Sequence, residues 1–264
     1  MDVELPDWME DDWSRRRAPG VAAVVRHDFV PVFEKLGLIE AADRPPEELA
    51  PGARPFDPGG GRGGLAAVPA GTHGEAVIRP YRRGGLPSRF VERSYLLGDR
   101  AFDELEATER LRRAGVPVPE PLAAVQSDRD GWGYRAALVT KRVTGADPAP
   151  DRLSGAGEET LREELARMGR SAGLLHGAGG VHADLNAYNF LLPRGKGDAV
   201  LLDFDRARVV GGRVPRVVAW MNLRRLRRHL DKLGLEGALE AWDAFEEAYE
   251  AAAAEQAGEG EDGG

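Results

Sequence analysis

Two polar motifs interrupt apolar runs in the second half of the chain. Asp184 and Asn189 occupy the pattern H-x-D-x-x-x-x-N within VHADLNAYNFLL, and Asp203 ends the apolar run AVLLDF. A phosphoryl transfer from ATP to a hydroxyl group needs a carboxylate beside that hydroxyl and oxygen ligands for magnesium. The loop is long enough to hold Asp184 at the hydroxyl and turn the Asn189 oxygen toward the metal. Asp203 then supplies a carboxylate that bridges the metal and the phosphates.

Each motif taken alone has a structural explanation. The first is also typical of a helix cap, and the second of a strand that runs into an Asx turn. Their order, the short hairpin between them and the long helix before them favour a phosphotransferase site. The chain has no cysteine and five histidines, so hard oxygen ligands and magnesium are favoured over zinc. We interpret His182 as a packing and hydrogen-bonding support for the loop rather than a catalytic group.

The first half of the chain must then bind the nucleotide phosphates. The sequence AVIR, ending at Arg79, stands where kinases carry VAIK, so we expect Arg79 to contact the phosphates in place of lysine. A guanidinium keeps the charge and offers a fork of donors. A helix glutamate should pair with it; Glu104 is the first choice, and Glu106 and Glu109 remain rivals.

A glycine-rich turn and a strand complete the expected nucleotide site. The backbone N–H groups of GGGRGG, with Gly61, Gly63 and Gly64, are predicted to cover the phosphates. The turn does not match G-x-G-x-x-G, so a flexible linker remains an alternative. The strand ALVTKRV is expected to offer backbone hydrogen bonds to adenine around residues 140–142.

Composition narrows the class of protein. The chain has 264 residues and a net charge of −8, which indicates no general affinity for nucleic acid. The N-terminal MDVELPDWMEDDW is acidic, unlike a signal peptide, and no apolar run reaches the length of a membrane span. These features predict a cytoplasmic protein.

The order of predicted elements indicates an α+β fold. Strands and one helix, for which Gly115 is the expected stop, precede the linker TGADPAPD, and a mostly helical half follows. Residues 43–64 are rich in proline and glycine and are predicted to be a loop. This organisation predicts two lobes with a cleft between them. The predicted divisions are an N-terminal extension with a Pro/Gly-rich loop over 1–60, an N-lobe over 61–143, a C-lobe over 144–256 and a disordered tail over 257–264.

Beyond these general signals, several stretches together resemble one enzyme family. They are GRGG, VIRPYRRGG, GVPVPEPLAA, VHADLNAYNFLL, LLDFDRAR and NLRRLRRHLDK. The combination resembles the 3-deoxy-D-manno-octulosonic acid (Kdo) kinases, a lipopolysaccharide kinase group of the protein-kinase-like superfamily. The resemblance runs from about Gly61 to Leu233, and YRRGG, HADLNAYN and DFDRAR are its most specific elements.

The resemblance implies both a fold and an activity. The fold would be two-lobed and protein-kinase-like, with a mostly β N-lobe and a shortened helical C-lobe. The activity would be ATP-dependent phosphorylation of the 4-hydroxyl of Kdo on a Kdo–lipid A precursor, at the cytoplasmic face of the inner membrane. Carried over residue by residue, Asp184 is the base, Asn189 and Asp203 bind Mg²⁺, and Arg79 contacts the ATP phosphates.

Departures from regulated protein kinases sharpen this interpretation. Ala183 stands where they have the arginine of H-R-D, so we expect no switch by loop phosphorylation. Asp205 replaces the glycine of D-F-G, and no A-P-E element follows, which favours a small or glycolipid acceptor. A related core-heptose or other small-molecule kinase is the alternative. A non-catalytic pseudokinase is disfavoured because Asp184, Asn189 and Asp203 are all present.

Arginines are the expected contacts of an anionic sugar acceptor. The candidates are Arg82, Arg83, Arg206 and Arg208. In the helix from Arg216 the leucines are interpreted as core, while its arginines could rest on an anionic membrane as a peripheral contact. For the N-terminal segment with Trp8 and Trp13, local packing is favoured over membrane contact.

Overall fold

The structure, a computed structural model, describes residues 4–39, 53–56, 64–81, 100–127 and 135–259. The helices are α1 Val30–Lys35, α2 Arg100–Arg113, α3 Ala149–Leu153, α4 Glu158–Gly177, α5 Arg216–Lys232, α6 Glu236–Glu240 and α7 Trp242–Glu259. The strands are β1 Trp13–Ala18, β2 Val21–Arg26, β3 Arg54–Phe56, β4 Leu65–Pro69, β5 Glu75–Pro80, β6 Pro121–Ser127, β7 Arg135–Lys141, β8 Ala146–Pro148, β9 Gly180–Val181, β10 Phe190–Pro193, β11 Val200–Leu201 and β12 Arg208–Val209.

The chain divides into two compact units. The N-terminal unit comprises residues 1–106 and 120–142, and the C-terminal unit comprises residues 107–119 and 143–264. Strands dominate the first unit and helices the second, as predicted. The predicted helix end is also confirmed, because α2 ends at Arg113 and Gly115 adopts a positive φ of 79°.

The N-terminal unit is built on a seven-stranded sheet in the order β1-β2-β6-β7-β5-β4-β3. Every neighbouring pair is antiparallel. Five consecutive residues of β2, VAAVV, are buried because both faces of the sheet are covered. Val21 and Val25 pack with Phe29 and Phe33 on one face, while Val24 packs with the α2 side chains Phe102 and Leu105 on the other. The alternation of side chains along the strand distributes one short segment between two cores.

This sheet differs from the predicted division at residue 60. Strands β1 and β2 come from the segment that the sequence analysis set apart as an extension, and β3 lies inside the predicted loop over 43–64. The turn that joins β1 to β2 falls at APG, where Gly20 adopts a φ of 71°. Trp13 is 2% exposed and packs in the core beside Met9. The predicted packing role of this segment is confirmed, and its contribution to the sheet was missed.

Helix α4 forms the centre of the C-terminal unit. The apolar side chains that recur along it at intervals of three and four residues are all buried: Leu161, Leu165, Met168, Ala172 and Leu175. These side chains share one core with residues from α5, α7 and the short strands. The apolar period of three to four residues therefore coincides with the buried face of the helix.

Glycines allow α4 and α7 to approach closely. A Cβ atom at Gly169 would lie 2.2 Å from the carbonyl oxygen of Phe245, and one at Gly173 would lie 2.4 Å from that of Tyr249. Backbone of one helix thus contacts backbone of the other, which only glycine permits at these positions.

Two short sheets hold the loops that follow α4. Strand β9 pairs with β12, with Val181 opposite Arg208, and β10 pairs with both β8 and β11. The segments before and after Asp203 are therefore each paired with a strand that flanks the H-x-D loop. This pairing brings two distant stretches of sequence together.

The C-terminal end holds one further difference from expectation. Helices α6 and α7 are separated by a break at Ala241. Helix α7 runs to Glu259, past the predicted start of the tail at residue 257, and residues 260–264 lie outside the described residues. Over the parts of the chain that the structure describes, no helix has both the length and the apolar character needed to cross a membrane.

Candidate functional site

The loop that carries Asp184 is held by its backbone. The amide N–H of Asp184 donates to Nδ1 of His182 at 3.1 Å, and its carbonyl oxygen accepts from Nδ2 of Asn189 at 2.8 Å. The carboxylate itself lies on an exposed side chain. Asp184 thus presents a solvent-accessible carboxylate on a fixed main chain, which suits a group that must meet a substrate hydroxyl.

Asn186 orients the Asp184 carboxylate, and the sequence analysis missed this role. Its Nδ2 donates to Oδ2 of Asp184 at 3.1 Å and to the Asp184 carbonyl oxygen at 3.2 Å. Its Oδ1 accepts from the N–H of Tyr188 at 2.9 Å and so caps the short 3-10 turn Ala187–Asn189. An asparagine that precedes such a turn is a capping signal that was available in the sequence.

His182 ties the Asp184 loop to the segment that carries Asp203. Its Nε2 donates to the carbonyl oxygen of Leu202 at 2.9 Å, while Nδ1 accepts from Asp184. The ring is 1% exposed and contacts Phe204 at a centroid distance of 5.2 Å. Burial lowers the pKa of His182, so the imidazole is neutral, as a ring with one donor and one acceptor nitrogen requires. The predicted support role of His182 is confirmed.

Asp203 lies at a sharp turn of the backbone after β11. It adopts a φ of 62°, a left-handed conformation that is uncommon for a residue other than glycine. Its side chain is exposed, whereas the next residue, Phe204, is 2% exposed and anchors the turn in the core. The turn therefore directs a carboxylate away from the core, and such backbone strain is concentrated at functional sites.

The donor set of Asn189 and Asp203 fits magnesium. The Asn189 amide uses its NH₂ group on the Asp184 carbonyl, so its oxygen is left to accept or to coordinate. The Asn189 carbonyl oxygen accepts from the N–H of Leu202 at 2.9 Å, which places the asparagine beside the segment that ends in Asp203. Carboxylate and amide oxygens are hard ligands of the type Mg²⁺ prefers. Among the described residues, no group of three or more His, Asp or Glu side chains is arranged as a metal site.

Helix α5 supports the Asp184 loop from a distant part of the sequence. Arg225 donates from Nη1 to the carbonyl oxygen of Ala183. The N–H of Ala187 donates to Nδ1 of His229 at 3.2 Å, and the ring of Tyr188 meets the His229 ring edge-on at 5.7 Å. These contacts depend on how the chain folds back, so no local pattern indicates them.

The N-terminal unit contains the predicted pair of Arg79 and Glu104. Nη2 of Arg79, on β5, donates to Oε1 of Glu104, on α2, and the hydroxyl of Tyr81 donates to Oε2 of the same carboxylate. The Arg79 guanidinium also lies 5.0 Å from the centre of the Tyr81 ring. The Glu104 side chain is 2% exposed, so its charge is compensated inside the unit. The pairing is confirmed, and Tyr81 is a partner that the sequence analysis missed.

The rival glutamates have other positions. Glu109 binds Arg112 at 2.7 Å and Arg113 at 2.8 Å on its own helix. Burial opposes ionisation of Glu109, but the two arginines prevail and lower its pKa. Glu104, the first choice, is the glutamate that pairs with Arg79.

The strand expected to contact adenine at residues 140–142 uses two of its N–H groups within the N-terminal unit. The N–H of Lys141 donates to the carbonyl oxygen of Glu120, and that of Arg142 donates to the carbonyl oxygen of Glu75, both at 2.8 Å. Thr140 lies within the paired part of β7. The N–H groups of Lys141 and Arg142 are thus used within the N-terminal unit, and backbone contact to adenine around residues 140–142 stays a prediction.

The remaining candidates are only partly within the described residues. Gly61 and Gly63 of the glycine-rich turn and Arg82 and Arg83 of YRRGG lie outside them. Gly64 immediately precedes β4 and adopts a φ of 121°, a conformation that suits glycine.

Two arginines of DFDRAR follow Asp203 directly. Arg206 is exposed and has a φ of 60°. Arg208 is exposed on β12, opposite Val181 of β9. Both are accessible beside the Asp203 turn, and their role toward an acceptor stays a prediction.

Comparison with known proteins identifies the family. The lipopolysaccharide kinase (Kdo/WaaP) family matches residues 49–249. The chain belongs to this family. The 3-deoxy-D-manno-octulosonic acid kinase of Xanthomonas campestris pv. campestris (strain B100) is 39% identical over 206 residues, which cover 76% of this chain and 78% of that protein. The enzyme of the same name from Stenotrophomonas maltophilia (strain R551-3) is 39% identical over 213 residues, which cover 78% of this chain and 81% of that protein.

A solved structure of the Kdo/WaaP family supports the fold. "WaaP in complex with acyl carrier protein" aligns with a TM-score of 0.58 at 18% identity, covering 86% of this chain and 88% of that chain. The predicted two-lobed, protein-kinase-like fold with a β-rich N-lobe and a helical C-lobe is thus confirmed. Family membership and fold together establish the chain as a kinase.

Proposed function

We propose that this kinase transfers the γ-phosphoryl group of ATP to the 4-hydroxyl of a Kdo residue on a Kdo–lipid A precursor. The observation that carries the proposal is the 39% identity to Kdo kinases over about four fifths of their length. The Asp184 loop with its supports supplies the chemistry such a transfer needs.

In this proposal Asp184 is the catalytic base. Asn186 aims the Asp184 carboxylate, and the two bonds to the Asp184 main chain, from Asn189 and to His182, fix the position from which it accepts the hydroxyl proton. Positioning of this kind contributes much of the rate in phosphoryl transfer, because the transition state requires little covalent help.

Asn189 and Asp203 would hold Mg²⁺ through one amide oxygen and one carboxylate. When bound, magnesium neutralises phosphate charge and orients the transferred group. The backbone turn at Asp203 and the bond of Asn189 to the Asp184 carbonyl keep both oxygens preorganised.

Charged side chains would hold the two anionic substrates. Arg79, oriented by Glu104 and Tyr81, would contact the ATP phosphates, and the turn with Gly61, Gly63 and Gly64 would cover them. The arginines proposed for the acceptor carboxylates and phosphates are Arg82, Arg83, Arg206 and Arg208. Because the acceptor is a lipid, the reaction would take place at the cytoplasmic face of the inner membrane, with peripheral contact between enzyme and bilayer.

One experiment tests this function. The purified protein is incubated with ATP, Mg²⁺ and a Kdo–lipid A precursor, and the product is examined by mass spectrometry for one added phosphate and by NMR for its position. We expect one phosphate on the 4-hydroxyl of Kdo, and none with the Asp184→Ala protein. Equal phosphorylation by Asp184→Ala, or none by the wild type, would contradict the proposal.

A parallel acceptor separates the alternative. A heptose-containing core precursor that lacks a free Kdo 4-hydroxyl is offered under the same conditions. Phosphorylation of that acceptor, with the Kdo–lipid A precursor unchanged, would assign the enzyme to the core-heptose kinases and overturn the choice of acceptor.

A further inference from the structure

Helix α5 exposes apolar side chains. Val217 is 71% exposed, and Trp220 and Met221 are each 57% exposed. They are three of the five large apolar side chains found exposed in the parts of the chain that the structure describes. Exposed apolar side chains grouped in this way mark surfaces that bind a protein or a membrane.

The three side chains lie on one face of the helix with two arginines. Spacings of three and four residues place Val217, Trp220, Met221, Arg224 and Arg228 along the side opposite the buried face, and both arginines are exposed. The guanidinium of Arg224 lies 5.2 Å from the centre of the Trp220 ring. We call these five residues the outer face of α5. The buried face consists of Ala219, Asn222, Leu226 and Leu230.

The charge of α5 contrasts with that of the whole protein. The helix carries five arginines and one lysine against one aspartate, whereas the chain has a net charge of −8. A cationic helix on an acidic protein selects anionic partners and orients the molecule toward them.

We infer that the outer face of α5 docks on an anionic phospholipid surface, with Trp220, Met221 and Val217 at the interface and the arginines at the lipid headgroups. Tryptophan is favoured at the boundary between lipid and water, and each arginine near an anionic bilayer strengthens binding. The combination of inserted apolar side chains with flanking cations is the composition that binds such surfaces. The arginines of the outer face would suit a soluble acidic protein as well as an anionic bilayer. The exposed tryptophan favours the bilayer.

The same helix supports the Asp184 loop. Arg225 binds the carbonyl oxygen of Ala183, and His229 accepts from the N–H of Ala187. Docking through α5 would therefore hold the loop at a fixed distance from the membrane surface. This inference rests on the proposed function, in which the acceptor is a lipid, and it adds the surface through which the enzyme approaches that lipid.

Vesicle binding tests the inference without ATP or acceptor sugar. Co-sedimentation is measured with vesicles of phosphatidylethanolamine and phosphatidylglycerol, and with vesicles of phosphatidylcholine alone. We expect the wild type to bind the anionic vesicles and to ignore the neutral ones. The double variant Trp220→Ser/Met221→Ser should bind about tenfold more weakly because it loses the apolar contacts.

Charge and insertion are tested separately. Arg228→Glu should weaken binding about tenfold, while Lys196→Glu, a matched charge reversal in an exposed turn of the same unit, should leave binding unchanged. Brominated phosphatidylglycerol should quench the fluorescence of the wild type. Trp220→Phe should lose that quenching, although four other tryptophans remain in the chain.

The outcomes that overturn the inference are specific. They are failure of the wild type to bind anionic vesicles, equal binding by Trp220→Ser/Met221→Ser, undiminished quenching in Trp220→Phe, or equally strong binding to soluble polyglutamate.

An activity assay separates this inference from the proposed function. Trp220→Ser/Met221→Ser should phosphorylate free Kdo like the wild type and lose turnover only on Kdo–lipid A in vesicles. Failure of both proteins on every Kdo acceptor would refute the proposed function and leave vesicle binding to stand alone.

Discussion

Nε2 of His182 lies 2.9 Å from the carbonyl oxygen of Leu202, the residue immediately before Asp203. The other ring nitrogen accepts the N–H of Asp184. One buried imidazole therefore sets the spacing between the segment with the proposed base and the segment with the proposed metal ligand. Both bonds use the neutral ring, which burial favours.

Replacing His182 by phenylalanine should uncouple these two segments. The substitution keeps a ring beside Phe204 but leaves the Asp184 N–H and the Leu202 carbonyl unpaired. Because the loss acts on positioning, we expect kcat to fall about 10- to 100-fold while KM for ATP changes little. Steady-state kinetics with a melting curve will show this, and a wild-type kcat in a folded His182→Phe protein would contradict it.

Stability should fall on acidification because of His176. Burial lowers the pKa of His176 to about 4, against 6.5 for an ordinary histidine, although its bond to Asn222 opposes the shift. The folded-state pKa is the lower one, so between pH 6.5 and 4 only the unfolded chain takes up the proton. Stability is full above pH 6.5 and is lost as the pH falls, by roughly 3 kcal/mol at pH 4.5 from this group.

Urea unfolding at pH 7.5 and at pH 4.5 measures this loss. His176→Asn cannot titrate, so it should be less stable at pH 7.5 but lose less stability on acidification than the wild type. Some carboxylates also contribute less to stability in acid, in both proteins alike. The difference between the two proteins in the stability lost on acidification therefore reports the contribution of His176 alone. An identical pH dependence in both proteins would rule out His176 as a source of the acid sensitivity.

Asn186 should contribute to catalysis through the hydrogen bond from its amide Nδ2 to Asp184 rather than through its capping of the Tyr188 N–H. Asn186→Ser keeps an oxygen that can cap Tyr188 N–H but removes the Nδ2 group that donates to Asp184 Oδ2. We expect kcat to fall about tenfold with little change in stability. Asn186→Asp, which places a second carboxylate beside Asp184 in place of the donor, should lower kcat at least as far. If both variants retain the wild-type kcat, Asn186 does not orient the proposed base.

Some parts of the site were predictable from sequence because they are local. Asp184, Asn189 and Asp203 lie in short motifs whose spacing indicates the proposed chemistry, and His182 lies within two residues of Asp184. Arg225 supports the same loop from 42 residues further along the chain. No period or spacing encodes such a contact, because it depends on how α5 packs.

The N-terminal strands show a different reason for error. The segment WSRRRAPGVAAVVR has a Pro-Gly turn followed by an apolar run, both typical of a hairpin. Its acidic start and the long loop that follows led to its interpretation as an extension. The signal for the hairpin lies within these fourteen residues. The strand that pairs with it, β6, lies about 100 residues further along the chain, so no local pattern indicates that pairing. The pairing of the Lys141 and Arg142 N–H groups with the carbonyl oxygens of Glu120 and Glu75 is likewise set by distant parts of the chain.

Glu104 should be essential for the orientation of the Arg79 guanidinium. Glu104→Gln keeps the shape but leaves the Arg79 guanidinium without its buried counter-charge. We expect the free energy of unfolding to drop by about 1–3 kcal/mol and KM for ATP to rise about tenfold, since the arginine is no longer held in one orientation. Glu106→Gln on the same helix is the matched control and should leave KM for ATP unchanged. Equal KM values for Glu104→Gln and the wild type would separate this ion pair from nucleotide binding.

Gly169→Ala should destabilise the C-terminal unit although it improves helix propensity. In an exposed helix the change would gain about 1 kcal/mol. Here the added Cβ would lie 2.2 Å from the carbonyl oxygen of Phe245, and a backbone atom cannot move aside as a side chain can. Separation of α4 from α7 should cost about 1–3 kcal/mol beyond that gain, as overpacked cores do.

Urea unfolding distinguishes these opposing terms when Gly169→Ala is compared with Gly211→Ala. An added Cβ at Gly211 meets no atom within 4 Å, so that control should stay within about 0.5 kcal/mol of the wild type. The Gly169→Ala substitution should also lower kcat, because α4 is connected to the Asp184 loop. His176, on the same helix, bonds Tyr249 of α7 and lies four residues before β9, where the Asp184 loop begins. A Gly169→Ala protein more stable than the wild type would mean that propensity outweighs the contact between the two backbones.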